Sequence, residues 1–326
     1  MYKVSVALTT YNGEKYIKEQ LSSILFQRYP ADEVIIIDDA STDNTVNIIK
    51  DFIEKNQLTN WHFFINPKNV GFIKNFHNAI RMSTGNIIFL CDQDDVWYKT
   101  KIGTMVNCFK SNRNIKALCS SFKIIDKRGN HLSTKTLLNH SNNNLIKFRV
   151  EPFSTVKIDL STICSYNISP GCTLAFNKEV KDIFLDKTSN SCIHDWEICL
   201  IASFLDGLYF LNTPLMDYRI HDKNTIGLSE ITSISNKAKL SKHEVRIEKA
   251  KNKFNYLSSM KAYSYLLNNE QYKIFNSSVE FAKSRLNALD NKNIKSILKL
   301  YKNRDQYVRS VTFKGRLADI ICVIKK

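Results

Sequence analysis

Short apolar runs alternate with helix-compatible segments over about the first hundred residues. The runs are rich in β-branched residues and lie at Val4–Leu8, Glu33–Ile37, His62–Ile65 and Ile87–Cys91. Between them, apolar residues recur at helical spacing, as at Ile17, Leu21, Ile24 and Leu25. This βαβα order predicts an α/β fold, with a mostly parallel sheet flanked by helices. Ligands bind such sheets beyond the carboxyl ends of the strands.

The pattern changes twice further along the chain. Residues 118–218 are mixed, with a turn at Asp126–Gly129, a polar loop at Asn139–Asn144 and a strand at Thr173–Phe176. From about Ser229 no Gly or Pro interrupts the chain until Gly315, which predicts an α-helical region. We therefore expect one domain over residues 1–228 and a helical appendage over residues 229–326.

Polar clusters follow three of the predicted strands directly, at Thr9–Asn12, Asp38–Ser41 and Asp92–Asp95. The last cluster, Asp92-Gln93-Asp94-Asp95, is called the acidic turn below. Its three carboxylates repel one another unless a cation or hydrogen-bond donors compensate, and Mg²⁺ or Mn²⁺ suits such oxygen ligands. An acidic tripeptide by itself is more often a solvated loop, and it is the position after a buried strand that favours a site.

The net charge of the chain indicates which kind of partner it binds. The chain has 326 residues, and 47 Lys and Arg against 31 Asp and Glu leave a net charge of +16, which favours a polyanionic partner such as nucleic acid, anionic lipid or a diphosphate. Eight cysteines without a Cys-x-x-Cys pair are typical of reduced core thiols. No apolar run is long enough to span a bilayer and no signal peptide is visible at the N-terminus, so we expect a cytoplasmic protein.

Four ordered motifs resemble family 2 glycosyltransferases with a GT-A fold. They are Thr10–Glu14, Asp38–Asp43, Asn69–Gly71 and Asp92–Trp97. Three later motifs, Pro170–Thr173, His194–Trp196 and Tyr218–Asn224, resemble the bacterial rhamnosyltransferase branch that builds cell-wall or capsular polysaccharides. The resemblance covers residues 1–228 well. Thr9 stands where the family usually has proline, and Ala40 where glycine is common.

The resemblance implies an inverting, metal-dependent transfer of a sugar from a nucleotide diphosphate to a saccharide acceptor, which we expect to be lipid-linked. The expected donor is dTDP-rhamnose, with UDP-hexoses or UDP-HexNAc next. Residues 1–98 would bind the nucleotide and residues 99–228 the acceptor. A nucleic-acid partner is not expected, because no recognised module is visible and the acidic turn would repel phosphate unless a metal sat there. A nucleotidyltransferase would need a Gly-rich phosphate loop, which Thr9–Glu14 lacks.

Carried over by position, the resemblance implies that Thr9, Tyr11 and Asp39 contact the nucleotide, that Asp92 approaches the ribose or the metal, and that Asp94 binds Mg²⁺ or Mn²⁺. His221 is a candidate second metal ligand, although a lone loop histidine is usually only solvated. Asp38 or Asp39 also suits a helix cap near Thr42 or Asp43.

Asp195 is the predicted general base, because inversion needs a carboxylate across the sugar from the metal. Without the upstream motifs it would be interpreted as a first-turn acid of the helix that follows. His194 is expected to orient the base or contact the acceptor, and Trp196 to pack or to stack on a sugar. The remaining candidates for donor or acceptor contact are Asp95, Trp97, Gly171, Cys172 and Arg219, with a phosphate contact expected for Arg219 and a plain turn as the alternative for Pro170–Thr173.

Residues Lys292–Lys326 contain ten Lys or Arg interleaved with apolar and aromatic residues. A basic amphipathic helix of this kind suits an anionic membrane surface. We therefore expect peripheral docking on the inner face of the plasma membrane, with a solvated helical face packed on the catalytic domain as the alternative.

Overall fold

The computed structural model describes residues 2–186, 193–222, 242–301 and 304–324. Within these ranges the strands form a ten-stranded sheet. They are β1 (Val4–Thr10), β2 (Glu33–Asp38), β3 (Trp61–Ile65), β4 (Ile87–Cys91), β5 (Val96–Trp97), β6 (Ala117–Ile125), β7 (His131–Leu132), β8 (Thr155–Lys157), β9 (Leu174–Asn177) and β10 (Leu208–Arg219).

The sheet has a parallel half and a mixed half. Its strand order is β3-β2-β1-β4-β9-β6-β10-β5, with β7 beside β6 and β8 beside β10. β1 runs parallel to β2 and β4, and β2 runs parallel to β3. β9 lies antiparallel between β4 and β6, whereas β10 runs parallel to β6. The predicted α/β fold is confirmed, and the nucleotide-binding half expected from the sequence corresponds to the parallel strands.

The first four strands lie within two residues of their predicted positions. β1, β2 and β4 are buried along their whole length. Near-continuous runs of Val, Ile and Leu suit strands that are covered on both faces, which is why they can be recognised without alternation. The strand predicted at Thr173–Phe176 is β9, and the turn at Asp126–Gly129 is closed by a hydrogen bond from the Gly129 N–H to the Asp126 carbonyl (3.0 Å).

Helices connect the strands and make up the C-terminal region. They are α1 (Ile17–Leu25), α2 (Thr45–Lys55), α3 (Phe72–Met82), α4 (Lys101–Ser111), α5 (Leu160–Ser165), α6 (Lys178–Asp186), α7 (His194–Phe204), α8 (Lys242–Ser259), α9 (Asn269–Asp290), α10 (Ile294–Leu300), α11 (Arg304–Ser310) and α12 (Phe313–Ile324), with short 3₁₀ turns at Gly171–Thr173 and Met260–Leu266. α2 begins at Thr45, slightly later than predicted. The helical character expected after Ser229 is confirmed for the described part of that region.

The chain divides into two compact units. The first comprises Met1–Ile158 and Ile168–Gly227, and the second comprises Asp159–Asn167 and Leu228–Lys326. The second unit thus takes α5 from the middle of the sequence in addition to α8–α12. The predicted boundary at residues 228 and 229 lies outside the described residues.

The helical unit has its own apolar core and a buried ionic cluster. Its core includes Phe281, Leu289 and Ile297. Asp319 is fully buried and accepts hydrogen bonds from Arg246 (2.7 Å), Arg285 (2.9 Å) and the Tyr307 hydroxyl (2.7 Å). No described helix combines the length and the hydropathy that crossing a membrane requires.

Candidate active site

Three loops meet where the parallel strands end. The Thr10 hydroxyl at the end of β1 donates to Asp38 Oδ2 at the end of β2 (2.7 Å). Gln93, in the acidic turn after β4, accepts from the Tyr11 N–H (2.8 Å) and donates to the Tyr11 carbonyl (3.0 Å). The loop after β1 is therefore fixed from both sides by its neighbours, because adjacent parallel strands end at the same edge of the sheet.

Asp39 holds the loop that begins α3. Its buried carboxylate accepts hydrogen bonds from the Val70 N–H (2.8 Å), the Gly71 N–H (2.9 Å) and the Asn66 amide (2.8 Å). An ionised carboxylate accepts about four hydrogen bonds, so capacity for one ligand donor remains. Asp38 Oδ1 accepts from the Ser41 N–H (2.7 Å) inside the loop. Because α2 begins later, at Thr45, and its N-cap Asn44 makes no side-chain cap bond, the helix-cap alternative for Asp38 or Asp39 is not supported.

Ala40 lies in the left-handed region, with φ at 60°. A side chain with a Cβ atom costs about 1–2 kcal/mol there, whereas glycine adopts the conformation freely. Alanine at this position, where glycine is common in the family, therefore strains the loop between the two aspartates and α2.

We expect Ala40→Gly to raise the free energy of unfolding by about 0.5–1 kcal/mol, because relief of the left-handed strain exceeds the added chain entropy. Urea unfolding of the full chain measures it. Ala31→Gly is the matched control, since Ala31 is also a partly buried loop residue but has no positive φ. Equal changes in both variants would mean that the left-handed conformation carries no cost.

Tyr11 and Thr9, which are also predicted to contact the nucleotide, differ in how accessible their side chains are to a ligand. The Tyr11 side chain is 47% exposed, as stacking on a base requires. Thr9 is buried within β1, beside Ile37 of β2. A ligand on this edge therefore has direct access to the Tyr11 ring and little access to Thr9.

The two predicted metal ligands lie side by side. His221 Nε2 is 2.8 Å from Asp94 Oδ2, and both side chains are mostly buried. The His221 ring stacks on Tyr16, with ring centroids 5.0 Å apart. Asp222 follows His221 in the described part, whereas Asn224 of the same motif lies outside it. An imidazole and a carboxylate oxygen in this arrangement are suitable ligands for a divalent cation.

A second group with metal-binding atoms adjoins this pair. Asp92, Asp95 and Cys172 each bring a ligand atom within 4.8 Å of the others. Burial raises the pKa values of the Cys172 thiol and the Asp95 carboxyl well above their usual ranges, and the neighbouring carboxylates raise both further. A protonated thiol is a poor ligand for a hard cation. Asp94 and His221 are therefore the better candidates to hold Mg²⁺ or Mn²⁺.

The Asp92 carboxyl has a raised pKa. Burial, followed by the charges of Asp94 and Asp195, raises its pKa to about 7. The predicted base Asp195, about a hundred residues further along the chain, is thus close enough to act on the acidic turn. Converging carboxylates favour a positively charged ligand at this position.

Lys101 is a fully buried cation beside the acidic turn. Its Nζ donates to the Cys172 carbonyl (2.6 Å), lies 3.2 Å from Met216 Sδ and is 4.2 Å from the centre of the Trp97 ring. Burial lowers its pKa to about 8, although the carboxyl groups of Asp95 and Asp92 act in the opposite direction. Lys101 therefore joins the loop that contains Cys172 to the acidic turn.

Two residues predicted to contact ligands are instead part of the protein interior. Trp97 is buried between Phe89 (ring centroids 6.0 Å apart) and the Lys101 ammonium, so contact with donor or acceptor is not supported. Arg219 is also buried. Its guanidinium donates to Glu19 Oε2 (2.6 Å) and to the Asp94 carbonyl (2.8 Å), and it stacks over Tyr16. Arg219 thus positions the acidic turn, and the predicted phosphate contact is replaced by this role.

Asp195 lies in the first turn of α7, where its Oδ1 accepts from the Trp196 N–H (2.7 Å). Gly171 packs against it so closely that an added Cβ would be 3.1 Å from Asp195 Cβ. His194 is buried and stacks on Phe76 with centroids 4.1 Å apart, and burial lowers its pKa to about 3. The orienting role of His194 stays a prediction. Trp196 is partly exposed, so stacking on a sugar stays a prediction.

Sequence reasoning missed three residues that hold the site together. Lys101 and Tyr16 carry no local signal, because a lysine or tyrosine at the start of a helix is ordinarily solvent-exposed. Gln93 could have been recognised from its position inside the acidic turn. A Cβ on Gly13 would lie 2.2 Å from Gln93 Oε1, so a larger residue there would displace the Gln93 amide from its hydrogen bonds with Tyr11.

The model of glycosyl transferase family 2 matches residues 5–168. The chain belongs to this family. It is 32% identical over 247 residues to the dTDP-rhamnosyl transferase RfbG of Shigella flexneri, which covers 71% of this chain and 76% of RfbG. This family 2 member is therefore a glycosyltransferase.

Solved structures of other transferases share its fold. TarS 1–349 of S. aureus, in complex with UDP-GlcNAc, superposes with a TM-score of 0.56 at 18% identity, over 94% of this chain and 93% of TarS 1–349. The mannosyltransferase PcManGT of Pyrobaculum calidifontis, in complex with GDP-Man and Mn²⁺, has a TM-score of 0.55 at 16% identity, over 99% and 86% of the two chains. The predicted GT-A fold is confirmed.

Proposed function

We propose that this family 2 member is an inverting, divalent-metal-dependent transferase that moves L-rhamnose from dTDP-rhamnose to a lipid-linked saccharide in cell-surface polysaccharide synthesis. The proposed chemistry rests mainly on the convergence of the acidic turn with Asp195, whose charge helps to raise the Asp92 pKa. The likeness to RfbG over 71% of the chain supports the donor sugar.

The residues of the acidic turn fit a divalent cation. Adjacent ligands of an octahedral ion at about 2.1 Å lie about 3 Å apart. The 2.8 Å between Asp94 Oδ2 and His221 Nε2 agrees with that spacing. A bound Mg²⁺ or Mn²⁺ would neutralise charge that develops on the departing diphosphate.

Protein side chains would bind the nucleotide on the donor side and activate the hydroxyl on the acceptor side. Tyr11, with its exposed ring, would stack on the base, while Asp39 and Asp92 would accept hydrogen bonds from nucleotide donor groups. The buried Thr9 is left out of this set. On the acceptor side, Asp195 Oδ2 would take the proton from the attacking hydroxyl as its oxygen bonds to the sugar. Gly171 lets the loop backbone approach Asp195 closely.

We expect Asp94→Asn to raise the dissociation constant for Mn²⁺ at least about tenfold, because the variant keeps the shape of the side chain but loses its charge. Titration calorimetry with Mn²⁺ and then with donor in its presence measures both affinities. Asp51→Asn removes the same charge from an exposed position on α2 and should bind normally. Unchanged Mn²⁺ affinity in the Asp94 variant would show that this carboxylate does not hold the metal.

A panel of nucleotide sugars tests the donor. Binding is measured with and without Mg²⁺ or Mn²⁺ for dTDP-rhamnose, UDP-glucose and UDP-GlcNAc. We expect the tightest binding for dTDP-rhamnose. Tighter binding of a UDP sugar would favour the second candidate, a UDP-hexose or UDP-HexNAc transferase. This candidate is considered because TarS, which shares the fold, binds UDP-GlcNAc. Binding of no donor would refute the proposed reaction.

A membrane-facing helix would suit a lipid-linked acceptor. Phe313, Leu317, Ile321 and Ile324 of α12 are spaced along one side of the helix and are all exposed. Lys314 and Arg316 lie among them, as on helices that bind anionic lipid surfaces. Co-sedimentation with anionic and with neutral vesicles at low salt tests this docking, and equal recovery with both would exclude an electrostatic contribution.

A further inference from the structure

Two adjacent leucines lie exposed on the loop that follows β6. Leu137 is 54% exposed and Leu138 is 89% exposed. β9 is antiparallel to both β4 and β6, so β4 and β6 end at the same edge of the sheet. Arg219 also joins the loops after these strands, because its Nε donates to the Asp94 carbonyl (2.8 Å) and its Nη1 to the Asp126 carbonyl (3.4 Å). The exposed leucines therefore belong to a loop that leaves the fold beside the acidic turn.

Hydrogen bonds hold the tip of this loop, residues 134–144, which is called the leucine loop below. Asn143 Nδ2 donates to the Phe122 carbonyl of β6 (2.9 Å). The Asn144 amide spans the tip, since its Oδ1 accepts from the Leu137 N–H (2.7 Å) and its Nδ2 donates to the Lys135 carbonyl (3.0 Å). Both asparagines have positive φ, at 55° and 70°, a conformation that asparagine adopts more readily than most residues. The exposure of the leucines is thus set by the backbone of the loop.

The leucine loop lies in a basic segment of the chain. Residues 127–150 contain five Lys and Arg and neither Asp nor Glu. Lys127, Arg128 and Lys135 are exposed. Asp126 offsets part of the Arg128 charge, but Lys127 and Lys135 leave the loop with an excess of positive charge. Residues two positions apart lie within about 7 Å, which is inside the roughly 8–10 Å over which charges act at physiological salt. The Lys135 charge therefore acts on whatever surface the leucines touch.

We propose that Leu137 and Leu138 insert into the surface of an anionic lipid bilayer. Exposed leucines beside Lys and Arg suit such a surface, because the apolar side chains leave water while the cations lie among the lipid phosphates. The inference rests on the proposed lipid-linked acceptor, since a membrane contact beside the acidic turn brings the candidate active site to the surface that carries this acceptor. The contact belongs to the unit that contains the sheet, and it is separate from the one suggested for α12.

Quenching of tryptophan fluorescence by brominated lipids tests the insertion at the loop itself. Leu138→Trp is compared with Phe26→Trp in the full chain, because Phe26 is also exposed (62%) but lies between α1 and β2. The vesicles contain brominated phosphatidylcholine and phosphatidylglycerol, and the signal of the wild-type tryptophans is subtracted. We expect the added fluorescence to be lost in Leu138→Trp and kept in Phe26→Trp. Equal quenching of the two variants would overturn the proposal.

Co-sedimentation with phosphatidylglycerol vesicles at low salt measures the apolar and the ionic contributions. We expect the partition coefficient to fall about tenfold in Leu138→Ser and about fivefold in Lys135→Gln. Phe26→Ser and Lys55→Gln are the controls, since both residues are exposed outside the leucine loop, and they should bind like the wild type. Self-association that Leu138→Ser abolishes, with no change in vesicle binding, would identify a second copy of the chain as the occupant and overturn the membrane assignment.

Donor binding in solution separates this inference from the proposed transfer reaction. Leu138→Ser should bind the nucleotide sugar as the wild type does, because Leu138 is not among the residues proposed to bind nucleotide or metal. Normal donor binding without insertion of the loop would overturn the membrane contact alone. Insertion without binding of any donor would support the membrane contact and refute the transfer reaction.

Discussion

Asp195→Asn is expected to lower kcat by about 10²–10⁴-fold while the dissociation constant of the nucleotide sugar stays unchanged. The substitution keeps the local geometry, because an asparagine oxygen can still accept the hydrogen bond that Asp195 Oδ1 receives from the Trp196 N–H. What is lost is the basicity of the carboxylate. Removal of the proton from the acceptor hydroxyl would then depend on water, and the expected loss is that of a general base.

The measurement pairs initial rates of transfer with calorimetric donor binding. Asp182→Asn is the matched control, because Asp182 carries the same charge on the exposed surface of α6, where it pairs with Lys178. Such a surface pair contributes little to stability. Transfer by the Asp195 variant at the control rate would remove this residue as the base, whereas loss of donor binding would place its effect on the nucleotide side.

The fold of the first half was predictable because its signals are local. Buried parallel strands appear as short apolar runs, and the polar residues that follow them mark one edge of the sheet. The mixed half was not predictable to the same extent. Whether β9 inserts antiparallel between β4 and β6 depends on packing between segments that are far apart in sequence.

In the candidate site, too, some features were predictable from the sequence and others were not. Asp94 and His221 come together as expected from the resemblance, and the polar loops meet at one edge. Trp97 and Arg219 are candidates for ligand contact by the resemblance, yet both are buried by contacts with distant residues. Burial of a long side chain depends on tertiary packing, so the sequence pattern alone could not separate these positioning residues from residues that face the cleft.

The buried lysine gives the second large effect. Lys101→Met is expected to lower the free energy of unfolding by about 3 kcal/mol, because it removes the donor of the buried Cys172 carbonyl and a buried cation that interacts with Asp92 and Asp95. Methionine has a similar length, so the cavity term is small.

Urea unfolding of Lys101→Met and of the control Lys99→Met decides whether the acidic turn needs this cation. Lys99 is exposed two residues earlier, and its replacement should change the stability by less than about 0.5 kcal/mol. Equal stabilities for the two variants would mean that the hydration lost by burying the Lys101 ammonium offsets all that it contributes. A selective loss in the Lys101 variant, in contrast, would establish that the loop before β9 and the acidic turn are held as one unit before any ligand binds.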